Sequence, residues 1–167
     1  MSDVPPERAT GAESHDFAPV FLTIPPKRVV LDTTVLVSLY VFADSRFAPL
    51  RTKIENGEWQ ALTNDACIDE FRRVLGYPLF ALSDERQQAA LDAYSVHVSR
   101  VDVSPQKIGP DLPRCKDRDD QKFLELARDS AADWLVTADK ALLHLARRDR
   151  LRGLFRILTP ERALAEV

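Results

Sequence analysis

Residues 28–39 have the sequence RVVLDTTVLVSL, in which an acid and two threonines separate two apolar segments. The first segment, which ends at Leu31, is a short continuous apolar run and predicts a buried strand. In the second segment Val35, Leu36 and Leu39 recur at helical spacing, which predicts a helix with one apolar face. A strand that leads through Asp32 into a helix is typical of an α/β fold.

The same alternation continues along the chain. Further helices are predicted over roughly residues 47–56, 65–76 and 83–97, from 119 or 120, from 139 and from 159. Further strands are predicted over 60–63, 98–103, 134–137 and 155–158, and prolines at 105, 110 and 113 make 104–118 a loop. This order favours an α/β three-layer sandwich, with a central, mostly parallel sheet of about four or five strands flanked by helices.

Two regions differ in composition. Residues 1–26 hold five of the 11 prolines and little apolar periodicity, which predicts a mobile N-terminal tail. Residues 27–167 are long enough for one well-buried core, and we expect a single globular domain. No apolar run approaches the ~18–20 residues of a membrane span and the N-terminus lacks a secretion signal, so a soluble, cytoplasmic protein is expected. Cys67 and Cys115 lack metal or redox spacing and are expected to be reduced and structural.

The charge is unevenly distributed. The net charge is −3, and residues 1–26 account for it with four acids against one base, so the remaining chain is neutral. Basic side chains cluster in residues 140–162: Lys140, Arg147, Arg148, Arg150, Arg152, Arg156 and Arg162. This stretch is either a phosphate-contacting surface or an ordinary solvated helix and turn, and the sequence leaves both interpretations open.

Three aspartates precede apolar residues at the same spacing. Asp32, Asp120 and Asp139 are each followed at +3, +4 and +7 by residues of a predicted core-facing helical stripe. Each acid therefore shares a helical face with core residues at the start of a helix. We expect all three carboxylates to project into the crevice at the strand ends, where ligands of open α/β sheets bind.

Glu70 is predicted to reach the same crevice from within a helix. It lies three residues after Cys67 and four before Val74, at the margin of that helix's apolar stripe. Its neighbour Asp69 instead has the spacing of a surface ion pair with Arg72 and Arg73. Asp69 therefore serves as a comparison for Glu70.

Each acid also has an ordinary structural interpretation, because aspartate is a preferred N-cap and Glu70 could extend from the rim of its helix to solvent. Capping alone does not require the acids to lie close together. If they do converge in one crevice, their carboxylates repel unless cations lie between them. A site made of oxygens alone suits Mg²⁺ or Mn²⁺ rather than zinc. A metal held by carboxylates can activate water and stabilise phosphate charge, which fits phosphodiester hydrolysis.

Four segments in order resemble the motifs of the PIN-domain nucleases, especially the VapC-like toxin components of toxin–antitoxin systems. The segments are VVLDTTVLVS at 29–38, DEFRRVL at 69–75, CKDRDDQKFL at 115–124 and LVTADK at 135–140, followed by RILTP at 156–160. The resemblance covers roughly residues 27–164. It implies a metal-dependent ribonuclease with Mg²⁺ or Mn²⁺ held by Asp32, Glu70, Asp120 and Asp139. It also implies an RNA substrate, a homodimer and a small antitoxin partner.

The motifs leave some roles open. Thr34 stands where the family usually has Asn, so the hydrogen bond that orients Asp32 is expected to be altered or lost. Asp117 and Asp119 either assist Asp120 or only cap the helix. Thr137 either positions water or metal through its hydroxyl group or is an ordinary buried threonine.

Positive side chains near the crevice would hold the RNA backbone, and the candidates are Arg46, Arg51, Lys53 and Lys140. One rival function is a phosphotransferase with Asp32 as nucleophile, but the dehalogenase-like pattern needs an acid two residues later, where this chain has Thr34. A second rival is a catalytically silent PIN scaffold that binds RNA or a partner protein.

Overall fold

A computed structural model describes residues 24–102 and 109–166. Its strands are β1 (Lys27–Leu31), β2 (Trp59–Thr63), β3 (Val98–Arg100), β4 (Trp134–Val136) and β5 (Arg156–Leu158). Its α-helices are α1 (Thr33–Tyr40), α2 (Ala48–Glu55), α3 (Asp65–Leu75), α4 (Asp84–Ser95), α5 (Gln121–Asp129), α6 (Lys140–Leu143) and α7 (Pro160–Ala165). Short 3₁₀ turns occupy 78–80, 118–120 and 149–151.

The five strands form one sheet in the order β3-β2-β1-β4-β5, and every neighbouring pair is parallel. Successive residues of β1 point to opposite faces, so that Val29 and Leu31 join one core and Val30 joins the other. Helices α1 to α4 and α7 pack on the first face, and α5 and α6 on the second. The predicted three-layer sandwich with a parallel central sheet is therefore confirmed.

The order of the strands determines where a site can form. The chain runs from β1 outward through β2 to β3, then returns to the other side of β1 for β4 and β5. The crossover reverses between β1 and β4, at the centre of the sheet. Such a reversal leaves a crevice outside the carboxyl ends of the two strands, which is where α/β sheets bind ligands.

The described residues leave out most of the predicted tail and the end of the predicted third strand. Only residues 24–26 of the predicted tail are described, and Val103 of the predicted third strand lies outside them. Cys67 and Cys115 are buried free thiols, as predicted. No helix within 24–102 or 109–166 is long and apolar enough to cross a membrane.

Candidate active site

Asp32 lies between the end of β1 and the start of α1, and the residue is only 3% exposed. As the N-cap of α1 it accepts the backbone N–H of Val35 at 3.0 Å. Its Oδ1 also accepts the hydroxyl group of Thr34 at 2.7 Å, and its Oδ2 accepts that of Thr137. Thr34 therefore retains a hydrogen bond to Asp32 where the family usually has Asn, and the bond is not lost.

Burial raises the pKa of the Asp32 carboxyl, and the nearby negative charge of Asp139 acts in the same direction. The hydrogen bonds from Thr137, Val35 and Thr34 lower the pKa and offset part of this effect. Asp32 is thus a carboxylate fixed in orientation by three donors, in a position where its negative charge lacks the solvation of water. Bound positive charge would relieve that penalty.

Thr137 connects Asp32 to the next acid. Its side chain is fully buried at the end of β4, and its Oγ1 accepts the backbone N–H of Asp139 at 2.9 Å while donating to Asp32. Asp139 is the N-cap of α6, where Oδ1 accepts the N–H groups of Ala141 at 2.7 Å and Leu142 at 3.3 Å. The capping interpretation of Asp139 is therefore correct, and Asp139 also lines the same cavity as Asp32.

Asp120 lies at the junction between the 3₁₀ turn 118–120 and α5, and its side chain makes no capping hydrogen bond. Burial raises the pKa of the Asp120 carboxyl to about 6, with added repulsion from the negative charges of Asp139, Asp117, Asp32 and Glu70. Three of the predicted acids thus act electrostatically on the fourth. The folded protein therefore binds a proton at Asp120 more tightly than an ordinary aspartate does.

Glu70 lies on α3, and its side chain is 10% exposed. Its Oε2 accepts the hydroxyl group of Thr33 at 2.6 Å, and its Oε1 lies 3.1 Å from Nζ of Lys122 and 3.8 Å from Arg73. The adjacent Asp69 is exposed and pairs with Arg72 at 2.6 Å. The two neighbours on one helix thus differ as the sequence predicted, one turned inward and the other in a surface ion pair.

One cavity of about 430 Å³, called the acidic cavity below, is lined by all four predicted acids and by Thr33 and Thr34. The rest of its described lining is mostly apolar and includes Val74, Phe123 and three residues that we call the aromatic wall, namely Phe42, Tyr77 and Phe80. Four separate segments of the chain therefore deliver carboxyl groups to one place at the centre of the sheet edge.

The donor set of the acidic cavity fits a hard divalent cation, because the charged groups of its described lining are carboxylates and the other polar side chains of that lining carry hydroxyl oxygens. Within 24–102 and 109–166, however, no group of three or more His, Cys, Asp or Glu side chains is arranged to hold a metal ion as it stands. The contacts of Glu70 are one physical obstacle. Lys122 and Thr33 already satisfy this carboxylate, so it would have to exchange these partners in order to bind a metal ion together with the other acids.

The residues predicted to assist Asp120 lie beside the cavity. Asp117 accepts the backbone N–H of Asp119 at 2.9 Å and so caps the 3₁₀ turn that carries Asp120. Asp119 is exposed and lines a neighbouring cavity with Arg114 and Arg118. Neither belongs to the described lining of the acidic cavity, although Asp117 is close enough to affect Asp120.

The predicted RNA-binding residues are not brought together at this cavity. Arg46 pairs with Asp44 at 2.7 Å, Arg51 with Glu55 at 2.5 Å and Lys53 with Glu58 at 2.7 Å. Glu58 directly precedes β2, so the pair with Lys53 lies at the amino end of a strand, at the opposite edge of the sheet from the acids. Lys140 is exposed and directly follows Asp139. A role of these four residues in RNA binding stays a prediction.

Sequence reasoning missed three features of the site: the hydroxyl group of Thr33, the Lys122–Glu70 ion pair and the aromatic wall. A usable signal existed for Phe42 alone. It is a large apolar residue two positions after α1 ends at Tyr40, and it precedes the mostly polar stretch ADSR. Thr33 and Lys122 depend on contacts 37 and 52 residues distant in sequence, for which no local pattern exists.

The fold and the site define an α/β protein with carboxylates at the carboxyl ends of its two central strands. The family model described as "PIN domain" matches residues 28–141. The chain belongs to the PIN domain family, as its motifs predicted.

Solved structures that match the fold include VapBC2 from Rickettsia felis bound to a DNA fragment from their promoter. The TM-score is 0.54 at 16% sequence identity, and the match covers 79% of this chain and 98% of that chain. At this identity the similarity shows the fold alone. No curated protein sequence matches the chain significantly.

Proposed function

We propose that the chain is a ribonuclease that depends on Mg²⁺ or Mn²⁺ and hydrolyses RNA phosphodiesters. The observation that carries this proposal is the convergence of Asp32, Glu70, Asp120 and Asp139 on one cavity at the reversal point of a parallel sheet. Four carboxylates in one cavity repel one another, and a divalent cation is the simplest partner that removes the repulsion. Membership of the PIN domain family, whose members are generally nucleases, supports the same conclusion.

Each acid has a distinct part in this proposal. Asp32, Asp120 and Glu70 would hold the principal metal ion, and Asp139 would complete its coordination or hold a second ion. A metal bound there would activate water and neutralise charge on the phosphate that is attacked. The three donors to Asp32 fix its carboxylate before anything binds, which reduces the reorganisation that binding requires. Lys122 adds an ammonium group beside Glu70, where it would attract a phosphate oxygen.

The biological setting is part of the proposal. The solved structure from Rickettsia felis is a VapBC2 complex on promoter DNA. By analogy, we infer that this chain acts as the toxin of a toxin–antitoxin pair, that it pairs with a small antitoxin and forms a homodimer, and that it acts in the cytoplasm. The analogy rests on similarity of fold.

A second candidate function is a catalytically silent PIN scaffold that binds RNA or a partner protein. The contacts of Glu70 favour it. Lys122 at 3.1 Å already neutralises this carboxylate, and the described acids, histidines and cysteines do not form a ready coordination shell. A protein stabilised in this way would keep its fold without metal.

Cleavage of a mixed RNA pool distinguishes the two functions. Wild type, Asp120→Asn and Asp69→Asn would each be incubated with the pool in Mn²⁺ and in EDTA. The nuclease proposal expects cleavage by wild type and by Asp69→Asn in Mn²⁺ only, and loss of cleavage in Asp120→Asn. RNA binding by wild type without any metal-stimulated cleavage would establish the scaffold instead.

A further inference from the structure

The acidic cavity has a second kind of surface that hydrolysis at the acids does not use. Phe42 follows α1, while Tyr77 and Phe80 belong to the turn after α3, and all three rings line the cavity that holds the acids. Phe42 is 64% exposed and Tyr77 is 42% exposed. Aromatic side chains bury large apolar areas in folded proteins, so exposed rings at the wall of a site are available to an apolar ligand group.

The aromatic wall is held by contacts of its own. The rings of Phe42 and Phe80 meet edge to face, with centroids 5.8 Å apart at an angle of 62°. The backbone N–H of Tyr77 donates to the carbonyl of Val74 at 3.0 Å, and that of Phe80 donates to the carbonyl of Tyr77 at 3.0 Å. The turn that carries Tyr77 and Phe80 is therefore fixed to the end of α3, the helix that also carries Glu70.

We propose that the aromatic wall stacks an unpaired nucleobase of a single-stranded RNA while the phosphate next to that base lies at the four acids. This inference rests on the proposed ribonuclease function and names a subsite of the same cavity. The occupant must present a flat apolar group and a phosphate within one cavity, and a nucleotide does both. Because every base has a stacking face, such a wall holds RNA without reading its sequence.

The size of the cavity agrees with this occupant. Its volume of about 430 Å³ falls in the range of small-molecule pockets, ~300–1,000 Å³, and is large enough for a nucleobase. An apolar side chain of a partner could cover Phe42, but it would make no use of the acids that line the same cavity. An unpaired base is also required physically, since bases inside a duplex cannot reach an aromatic side chain.

The wall can be tested separately from cleavage. Wild type, which keeps all four acids, is the background protein for the wall variants, and its affinity for two fluorescent ten-residue probes would be measured by anisotropy in Ca²⁺ in place of Mg²⁺ or Mn²⁺, with the probes checked by gel afterwards to be intact. One probe is a mixed-sequence oligoribonucleotide and the other is an abasic ribose-phosphate chain of the same length. We expect the background protein to bind the base-bearing probe more tightly than the abasic probe. Phe42→Ala and Tyr77→Ala are expected to weaken only the first interaction, on the order of tenfold each.

The chain offers a matched control in Leu79, which is 86% exposed in the same 3₁₀ turn but is not among the described lining residues of the acidic cavity. Leu79→Ala should bind both probes like the background protein, and Phe42→Trp should keep or increase the preference for bases. Equal binding of the two probes by the background protein, or unchanged binding by Phe42→Ala and Tyr77→Ala, would overturn the inference.

Other results separate the inference from the proposed function. If Phe42→Ala and Tyr77→Ala weaken self-association and leave both probes unaffected, the wall belongs to an interface between copies of the chain, and the base subsite is wrong. If the wall variants change nothing while wild type still cleaves RNA in Mn²⁺, the ribonuclease stands without this subsite. If wild type does not cleave RNA, the proposed function fails, whatever the probes show.

Discussion

The hydroxyl group of Thr137 donates a hydrogen bond to the carboxylate of Asp32 and thereby joins the ends of the two central strands. The same oxygen accepts the backbone N–H of Asp139 at 2.9 Å. One fully buried threonine thus fixes two of the four acids relative to each other. The position of Asp139 in the acidic cavity depends on it.

Replacement of Thr137 by valine keeps the shape of the side chain but removes both hydrogen bonds. We expect Thr137→Val to lower the free energy of unfolding by about 1–3 kcal/mol, because Asp32 and the N–H of Asp139 lose a buried partner. Chemical denaturation measures this change. Thr137→Ser keeps the hydroxyl group and should retain most of the free energy of unfolding of wild type. Equal destabilisation by serine and valine would show that the hydroxyl group is unimportant.

The stability of the metal-free protein should fall as the pH rises through the pKa of Asp120. That pKa is about 6 in the folded protein against an ordinary value of 3.8, so the folded state binds this proton more tightly than the unfolded chain does. The resulting stabilisation is complete below about pH 3.8 and is lost as the pH approaches and passes 6.

Thermal unfolding in EDTA between pH 4 and 8 tests this relation. Asp120→Asn cannot titrate at this position, so its melting temperature should decline less with pH than that of wild type and should be higher at pH 8. Asp69→Asn should decline as wild type does. The account of Asp120 is wrong if all three proteins show parallel profiles.

Glu70 and Asp69 are adjacent carboxylates with opposite environments. Glu70 is 10% exposed and lines the acidic cavity, whereas Asp69 is exposed and pairs with Arg72. Loss of residues that only support a metal ligand typically lowers activity by ~10–100-fold, and Glu70→Gln should lower metal-stimulated cleavage at least that much. Asp69→Asn should leave cleavage within about twofold of wild type, since a surface ion pair contributes little. Similar rates for the two variants would remove Glu70 from the site.

The Lys122–Glu70 pair should affect metal-free and metal-bound protein differently. Lys122→Met removes the ammonium group 3.1 Å from Glu70, so the metal-free protein should lose roughly 1–3 kcal/mol, less than the ~3–5 kcal/mol of a fully buried pair. Added Mn²⁺ should raise the melting temperature more in Lys122→Met than in wild type, because Glu70 is then free to bind it. The control is Lys116→Met, an exposed lysine in the loop before α5. A smaller Mn²⁺ effect in Lys122→Met than in wild type would instead make Lys122 a necessary part of the metal-bound site.

Local sequence patterns predict the sheet, the helices and the positions of three acids for a clear physical reason. An acid at the start of a helix whose +3, +4 and +7 residues are apolar shares the face that packs on the sheet, and Asp32, Asp120 and Asp139 all line the acidic cavity. Their capping function does not conflict with this, since Asp32 and Asp139 cap helices and line the cavity together.

Contacts between distant segments could not be predicted in the same way. The pairing of Lys122 with Glu70 depends on how α3 and α5 approach each other beside the sheet. The orientation of α2 likewise determines that Lys53 lies beside Glu58, at the amino end of β2, and not in the crevice. The packing of these helices against the sheet therefore determines which side chains pair and where they lie.

Direct titration of Mn²⁺ tests the central claim, that the four acids form a single cation site. The free Mn²⁺ signal in electron paramagnetic resonance would be followed as protein is added, for wild type, Asp32→Asn, Asp120→Asn and Asp69→Asn. If the four acids form one site, wild type and Asp69→Asn remove the signal in stoichiometric amounts, while Asp32→Asn and Asp120→Asn remove it weakly or not at all. Failure of wild type to bind Mn²⁺, or equal binding by all four proteins, would contradict this claim.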